Sequence, residues 1–324
     1  MTPKVSIIIP LYNAGKQLNA CINSIINQTF TDFEVIVIVD CPTDGSDIMI
    51  QTLTKHDSRF HIYHNTTNQH IGLSRNNGID KANGTYLLFV DHDDILAEDC
   101  LEQLVTSIEQ SQADIVITLP HTTLFNDETN ITSFPQIAKD DKEYIISDLL
   151  SNGSFNGRNN SIFNLVIGNL YRTELVKKHN LRFVDTNTIT PEDHLFQLNA
   201  LLYCHKVNLI DKQTYTHMNH DNNEGGKDTY IDIEKRIRGL EIAKSYLQHH
   251  QVFIKHEKAY KQGAAQQLVL LTAYALTKGP KFFRHTRKTI KLYTQHNNIL
   301  SYTPPSTKSI MHQMFRRFIV LLVK

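Results

Sequence analysis

Between residues 5 and 119 the chain switches repeatedly between two hydrophobic rhythms. Residues 5–9 (VSIII) are a short, β-branched apolar run that stops at Pro10. A run with so little polar alternation predicts a strand buried on both faces, as in a parallel sheet. Leu18, Ile22, Ile25 and Ile26 then recur at helical spacing and predict an amphipathic helix over 16–28. The rhythm repeats downstream, with strands predicted at 34–39 (EVIVIV), 60–64, 86–90 (YLLFV) and 114–119. Helices are predicted between them at 46–55, 73–83 and 98–110.

Strands alternating with helices of about ten residues argue for an α/β domain with a mainly parallel sheet. In such sheets ligands bind beyond the carboxyl ends of the strands. Polar groups gather at those ends here: Tyr12-Asn13, Asp40 and Asp91 to Asp94. Residues 121–165 are rich in Asn, Thr, Ser and Asp, with a helix expected at 141–151, and suit a lid or acceptor loop. Apolar patterning returns at 165–175 and 195–202, and residues 206–218 read as one or two strands. Helices are then predicted at 231–250, 253–277, 281–296 and 308–323. The expected division is a binding and catalytic domain over 1–220 and a helical C-terminal region over 221–324.

Composition narrows the class. With 324 residues, 40% apolar and 20% charged, the chain is an ordinary globular one. Its 4 cysteines, Cys21, Cys41, Cys100 and Cys204, are scattered and fit neither a disulfide framework nor a zinc site. The opening apolar run is too short for a signal segment, and no stretch has the about 18 apolar residues of a membrane span. A cytoplasmic protein is therefore expected. The net charge of zero hides an asymmetry: residues 258–324 hold 12 of the 33 basic residues and none of the 33 acids. An acidic body with a basic tail points to an anionic partner.

The densest chemistry is Asp91-His92-Asp93-Asp94, which follows the 86–90 strand. Three carboxylates in four residues repel one another unless a cation or water intervenes. Mg²⁺ and Mn²⁺ suit such a site, through one or two carboxylates plus substrate phosphates. A solvated turn capping the next helix would use the same residues. Glu192-Asp193 is a second acidic pair, placed after Pro191. Two adjacent acids disfavour double ionisation and suit a general base, and the same residues also make a common helix start.

Order and spacing add a resemblance. VSIIIPLYN at 5–13, SIINQT at 24–29, FEVIV at 33–37, GLSRNNGI at 72–79 and GTY at 84–86 resemble segments of the family 2 glycosyltransferases of bacterial surface-polysaccharide type. GNLYR at 168–172 and PEDHLF at 191–196 resemble that family's acceptor-side pattern. The resemblance spans roughly residues 4–220. It implies a GT-A (Rossmann-like) fold and an inverting hexosyltransferase. A nucleotide sugar, with UDP-sugar the first choice, would be the donor, and a glycan or lipid-linked glycan the acceptor. Pro10, Tyr12, Asn13, Asp40, Arg75, Asp91 and His92 would then bind the nucleotide sugar. Asp93 with Asp91 would hold Mn²⁺ or Mg²⁺, Asp193 would be the general base, and Glu192 would orient acceptor or base. Asp40-Cys41-Pro42-Thr43-Asp44-Gly45-Ser46 departs from the family's usual pair of acids, with Cys41 where a second acid often stands. His217 and His220 could stand near the diphosphate or merely at the surface.

Residues 308–323 (KSIMHQMFRRFIVLLV) predict a basic amphipathic helix, suited to the anionic inner face of the cell membrane or to packing on the body or a second subunit. Nucleic acid is not expected, since the body is acidic and no binding motif stands out. A nucleotidyltransferase or NAD-dependent enzyme would need a Gly-rich loop that Pro10 to Gly15 lacks. A glycosyltransferase-like binding or scaffold subunit is the non-enzymatic alternative.

Overall fold

The structure is a computed structural model and describes residues 2–124, 127–129, 141–152, 163, 165–218 and 232–299. The first elements are β1 (Val5–Leu11), α1 (Gln17–Ile26), β2 (Phe33–Val39), α2 (Ser46–Thr54), β3 (Phe60–His64), α3 (His70–Lys81) and β4 (Tyr86–Phe89). Next come β5 (Ile95–Leu96), α4 (Cys100–Ser111), β6 (Ile115–Leu124), β7 (Asp127–Thr129) and α5 (Lys142–Asn152). The chain continues through β8 (Leu170–Arg172), α6 (Thr173–Lys178), α7 (Glu192–Tyr203) and β9 (Val207–Met218). It closes with α8 (Ile233–His249), α9 (Phe253–Thr277) and α10 (Pro280–His296).

The strands form one nine-stranded sheet among the described residues, in the order β3-β2-β1-β4-β8-β6-β9-β5, with β7 beside β6. β3, β2, β1, β4, β6 and β9 run one way, and β8, β5 and β7 run the other. All seven residues of β1 and all seven of β2 are buried, as expected for central parallel strands. Burying each Val or Ile contributes about 1.5–3 kcal/mol, so these strands anchor the core.

β5 and β8 are absent from the sequence reading. They have two and three residues, too short for any periodic signal. β8 enters antiparallel between β4 and β6. α3 also begins at His70, ahead of the expected Leu73. Close approach explains one glycine of that helix. A Cβ on Gly78 would lie 2.3 Å from Ile8 Cγ2, so α3 rests directly on β1.

The terminal helices pack on the α/β part with α8 against α7 and α9 against α5. A Cβ on Gly263 of α9 would lie 1.9 Å from the Leu150 carbonyl oxygen of α5. The expected boundary near 220, His220 and the expected helix at 308–323 fall outside the described residues, as does most of the 121–165 segment. Among the described residues, no helix is long and apolar enough to cross a membrane.

Candidate active site

The carboxyl ends of β1 and β2 lead into two loops stitched together by short polar side chains. Asn13 has φ 48°, a left-handed conformation that Asn tolerates better than most residues. Its Oδ1 accepts from the Thr43 N–H at 2.7 Å. Asp44 Oδ2 accepts from the Gly15 N–H, and Ser46 Oγ accepts from the Ala14 N–H, both at 3.0 Å. Burial pushes the Asp44 carboxyl up, but hydrogen bonds from Ser46 and Gly15 outweigh it and hold the group below its ordinary range. Tyr12 is left 38% exposed beside these loops.

Asp40 is almost wholly buried. Its Oδ1 accepts from Asn65 Nδ2 at 2.7 Å and from the Gln69 N–H at 2.8 Å. That oxygen is committed to the loop between β3 and α3, so the carboxylate is fixed before any ligand arrives.

The acidic turn after β4 divides its three carboxylates. The Tyr215 hydroxyl of β9 accepts from the Asp91 N–H at 3.2 Å and donates to Asp94 Oδ2 at 2.6 Å. Asp94 Oδ1 accepts from the Met218 N–H at 2.9 Å, and the residue is fully buried. Asp94 therefore ties the turn to β9, while Asp91 and Asp93 remain half-buried. His92 Nδ1 lies 3.1 Å from the Pro10 carbonyl oxygen, a hydrogen bond in the tautomer that protonates Nδ1. Burial raises the Asp93 carboxyl above its ordinary range; His92 opposes this, and the charges of Asp91 and Asp94 reinforce it.

Arg75 joins this turn to the second acidic pair. Its side chain is only 1% exposed. Nη2 donates to Asp91 Oδ1 at 2.8 Å, and Nη1 donates to Asp193 Oδ1. The guanidinium carbon lies 5.2 Å from the Phe183 ring centroid, within cation–π range. Burial works against the charge on Arg75, but Asp193 and Asp91 outweigh it and raise its pKa further.

Each neighbour of Arg75 on α3 holds a different part of the site. Asn76 exchanges two hydrogen bonds with the Phe183 backbone, both 2.9 Å long. Asn77 donates to Asn65 Oδ1 at 2.8 Å and to Gln69 Oε1 at 3.0 Å. The Gly72 N–H donates to Thr186 Oγ1 at 3.2 Å. The same helix thus grips the Asp40 loop on one side and the segment leading to α7 on the other.

Glu192 and Asp193 occupy the first turn of α7. Rings hold that helix in place: Phe183 and Phe196 stack at 4.1 Å, and Phe196 meets Phe89 of β4 edge-on at 5.6 Å. Burial pushes the Asp193 carboxyl up to about 7, with Glu192 and Asp91 acting the same way and Arg75 pulling against them. A carboxylic acid poised near neutrality, with 22% of its side chain accessible, is equipped to take a proton from a bound hydroxyl.

Residues 6–178 match the family model described as glycosyl transferase family 2, which is more than half of the chain. The chain belongs to glycosyl transferase family 2. Among similar proteins, EpsJ of Bacillus subtilis, named an uncharacterised glycosyltransferase, is 30% identical over 68% of this chain and 63% of its own. The chain thus spans about three fifths of that relative. TarS of Staphylococcus aureus, named a poly(ribitol-phosphate) β-N-acetylglucosaminyltransferase, is 26% identical over 71% of this chain and 38% of its own. The structure of TarS 1–349 with UDP-GlcNAc superposes with a TM-score of 0.68 at 20% identity, covering 97% of this chain and 92% of that one. The mannosyltransferase PcManGT of Pyrobaculum calidifontis, in complex with GDP-Man and Mn²⁺, gives 0.50 at 14% identity, covering 100% of this chain and 88% of that one. At these identities the likenesses establish the GT-A fold alone.

Within this family 2 chain the acidic turn fits a cation in a restricted way. Among the described residues, no three His, Cys, Asp or Glu side chains converge on one metal position. Asp91 and Asp93 offer two carboxylates, and Mg²⁺ or Mn²⁺ commonly completes such a set with substrate phosphate oxygens and water. Burial is the main cause that raises Asp93, and the charges of Asp91 and Asp94 add a repulsion that a cation would relieve. The residues therefore fit an ion shared with a diphosphate.

Two supporting residues escape a sequence reading. Tyr215 lies 124 positions from Asp91, and Asn65 lies 25 from Asp40. No local pattern marks either one. The pairing of β9 with β6 and β5 and the β3–α3 connection bring them into place. His217, singled out beforehand, stands on β9 two residues beyond Tyr215.

Proposed function

We propose that this family 2 chain is an inverting glycosyltransferase, moving a sugar from a nucleoside diphosphate donor to an acceptor hydroxyl. The observation that carries the reading is the Arg75 bridge, in which one buried cation ties Asp91 to Asp193. It holds a donor-side acid and a candidate base in one site, as a single displacement requires.

In this reading the nucleoside lies along Pro10, Tyr12, Asn13 and Asp40, with the diphosphate over Asp91 and His92. Asp93, with Asp91, would hold Mn²⁺ or Mg²⁺, which supplies positive charge to the leaving diphosphate. Asp193 takes the proton of the acceptor hydroxyl as its oxygen bonds to the anomeric carbon. The bond to the diphosphate breaks on the opposite face, so configuration inverts. Glu192 orients the acceptor or the base.

A UDP-sugar is the first donor to test, since TarS was solved with UDP-GlcNAc at a TM-score of 0.68. A surface polysaccharide, lipopolysaccharide or capsule glycan, in free or lipid-linked form, is the proposed acceptor class, supported by the name of TarS. The basic C-terminal stretch, with 12 Lys and Arg after Glu257 and no acid, supports a peripheral position on an anionic inner membrane face. Packing against a second copy is its other use.

The test is release of nucleoside diphosphate from a panel of nucleotide sugars with Mn²⁺ or Mg²⁺, with and without acceptor glycans. Metal-dependent release from at least one donor is expected. Absence of turnover and of thermal stabilisation by every donor would sink the reading.

A further inference from the structure

α10 is built with two unlike faces. Ile290 and Tyr293 are buried toward the neighbouring helices, with Phe282 and Phe283 packed at the edge of the core. The opposite face presents Lys281, Arg284, Lys288, Leu292 and Gln295, all exposed and spaced by three or four residues. Arg287 and Lys291 flank that row, half-buried. α10 thus carries five Lys and Arg and no acid in 17 residues. Leu292 stands 57% exposed within the row.

From this face we propose that α10 lies flat on a bilayer containing anionic phospholipid. The inference rests on the membrane-facing part of the reading above and gives it a site. A 17-residue helix is about 25 Å long, and its cations are spread along that whole length. Such a row matches a planar array of phosphate headgroups better than a point ligand, which calls for convergent Arg forks. Leu292 adds an apolar contact at headgroup depth. The stretch that follows α10 offers no complementary charge: residues 300–324 hold Lys308, Arg316, Arg317 and Lys324 and no acid. A second copy would bring the same positive face if it met this one by two-fold symmetry.

The experiment uses the full chain and sedimentation with vesicles of phosphatidylglycerol and phosphatidylcholine, or of phosphatidylcholine alone, at low and high salt. Binding to the anionic vesicles that weakens with salt is expected. The triple variant Lys281→Gln, Arg284→Gln, Lys288→Gln should weaken it by at least about tenfold. Arg316→Gln with Arg317→Gln should weaken it less. Gln is a good helix former, and circular dichroism checks that α10 survives. The proposal is overturned if the triple variant binds like the parent, or if the parent ignores anionic vesicles. Equal affinity for soluble polyphosphate, or salt-sensitive self-association without vesicles, would replace the bilayer by a polyanion or an acidic second copy. Donor hydrolysis should be unchanged in the triple variant, so a failed vesicle result with intact hydrolysis leaves the transfer reading standing.

Discussion

At the end of β4 the chain fixes its acids with hydrogen bonds; at the start of α7 it fixes them with aromatic rings and one cation. On the proposed donor side, Asp94 accepts from Tyr215 and Met218, and Asp40 accepts from Asn65 and Gln69. Those acids have lost an oxygen or more to the scaffold, and they hold loops in shape. On the proposed acceptor side, the Asp193 carboxylate accepts from Arg75, and α7 is located by the Phe183, Phe196 and Phe89 rings. Fixed polar frames suit a diphosphate, whose charge and shape hardly change between donors. A carboxylate held mainly by burial suits proton transfer, because burial raises its pKa toward neutrality.

The largest effects should come from splitting the two sides chemically. Asp193→Ala should lower sugar transfer by about 10³-fold or more, since a positioned base contributes about 10²–10⁴ and the acceptor also loses its anchor. Slow hydrolysis of the donor by water should survive. Asp93→Ala should remove both transfer and hydrolysis, because in the proposed reading it holds the cation on the leaving diphosphate. Rates with and without acceptor measure the difference, and circular dichroism melts check folding. Near-normal transfer by either variant would remove that residue from its role.

Arg75→Met tests the link between the sides. Removing one partner of a buried ion pair costs about 3–5 kcal/mol, and here two carboxylates lose the same cation. Because 21% of the Asp91 and 22% of the Asp193 side chain is accessible, the lower end, about 3 kcal/mol, is expected. Denaturant unfolding should show that loss, and transfer should fall by about 10²-fold or more. Arg75→Lys should recover stability better than activity, since an ammonium cannot reach two carboxylates with a planar fork. A variant as stable and active as the parent would mean the two sides are independent.

Much of the donor side is legible in the sequence. VSIIIP and EVIVIV announce central parallel strands, and the acids after YLLFV stand where such sheets place ligands. The acceptor side is less legible: two adjacent acids suit a base, but Pro191-Glu192-Asp193 also reads as a helix start, in the fold it is one, and resemblance decides between the two. What no pattern reveals is long-range commitment. Asp91, Asp93 and Asp94 look alike in sequence, yet Asp94 is fully buried and gives both carboxylate oxygens to β9. Arg75 reads as a phosphate ligand by resemblance, yet its fork closes on carboxylates 16 and 118 residues away. Those contacts depend on α3 lying flat on β1, which Gly78 permits by lacking a side chain.

A smaller effect is expected from pH. With Asp193 held near 7, transfer should rise about tenfold per pH unit below that point and level off above it, since the base works ionised. The linkage to stability has the opposite slope. An ordinary Asp titrates near about 3.9, so the raised folded value means that folding favours the protonated form. That contribution is complete below about pH 4 and is lost as pH rises through about 7. Asp193→Asn should flatten the stability profile across that window. A rate that levels off near pH 5 would show that Arg75 overcomes burial, making the acceptor side as fixed as the donor side.

The smallest effect belongs to the donor frame itself. Tyr215→Phe deletes the hydroxyl that receives the Asp91 N–H and donates to the buried Asp94. Leaving buried polar groups short of partners costs about 1–3 kcal/mol each, and Asp94 keeps its bond from the Met218 N–H. The expected loss is therefore about 2 kcal/mol of stability. Because the turn carrying Asp91 and Asp93 would loosen, donor KM should rise severalfold while acceptor KM stays constant. Phe196→Leu is the matched change on the acceptor side: it thins the stack beneath α7 and should move acceptor KM and kcat while sparing donor binding. If both variants shift donor and acceptor parameters together, the two sides form one cooperative unit, and the contrast between polar frame and aromatic mount has no functional consequence.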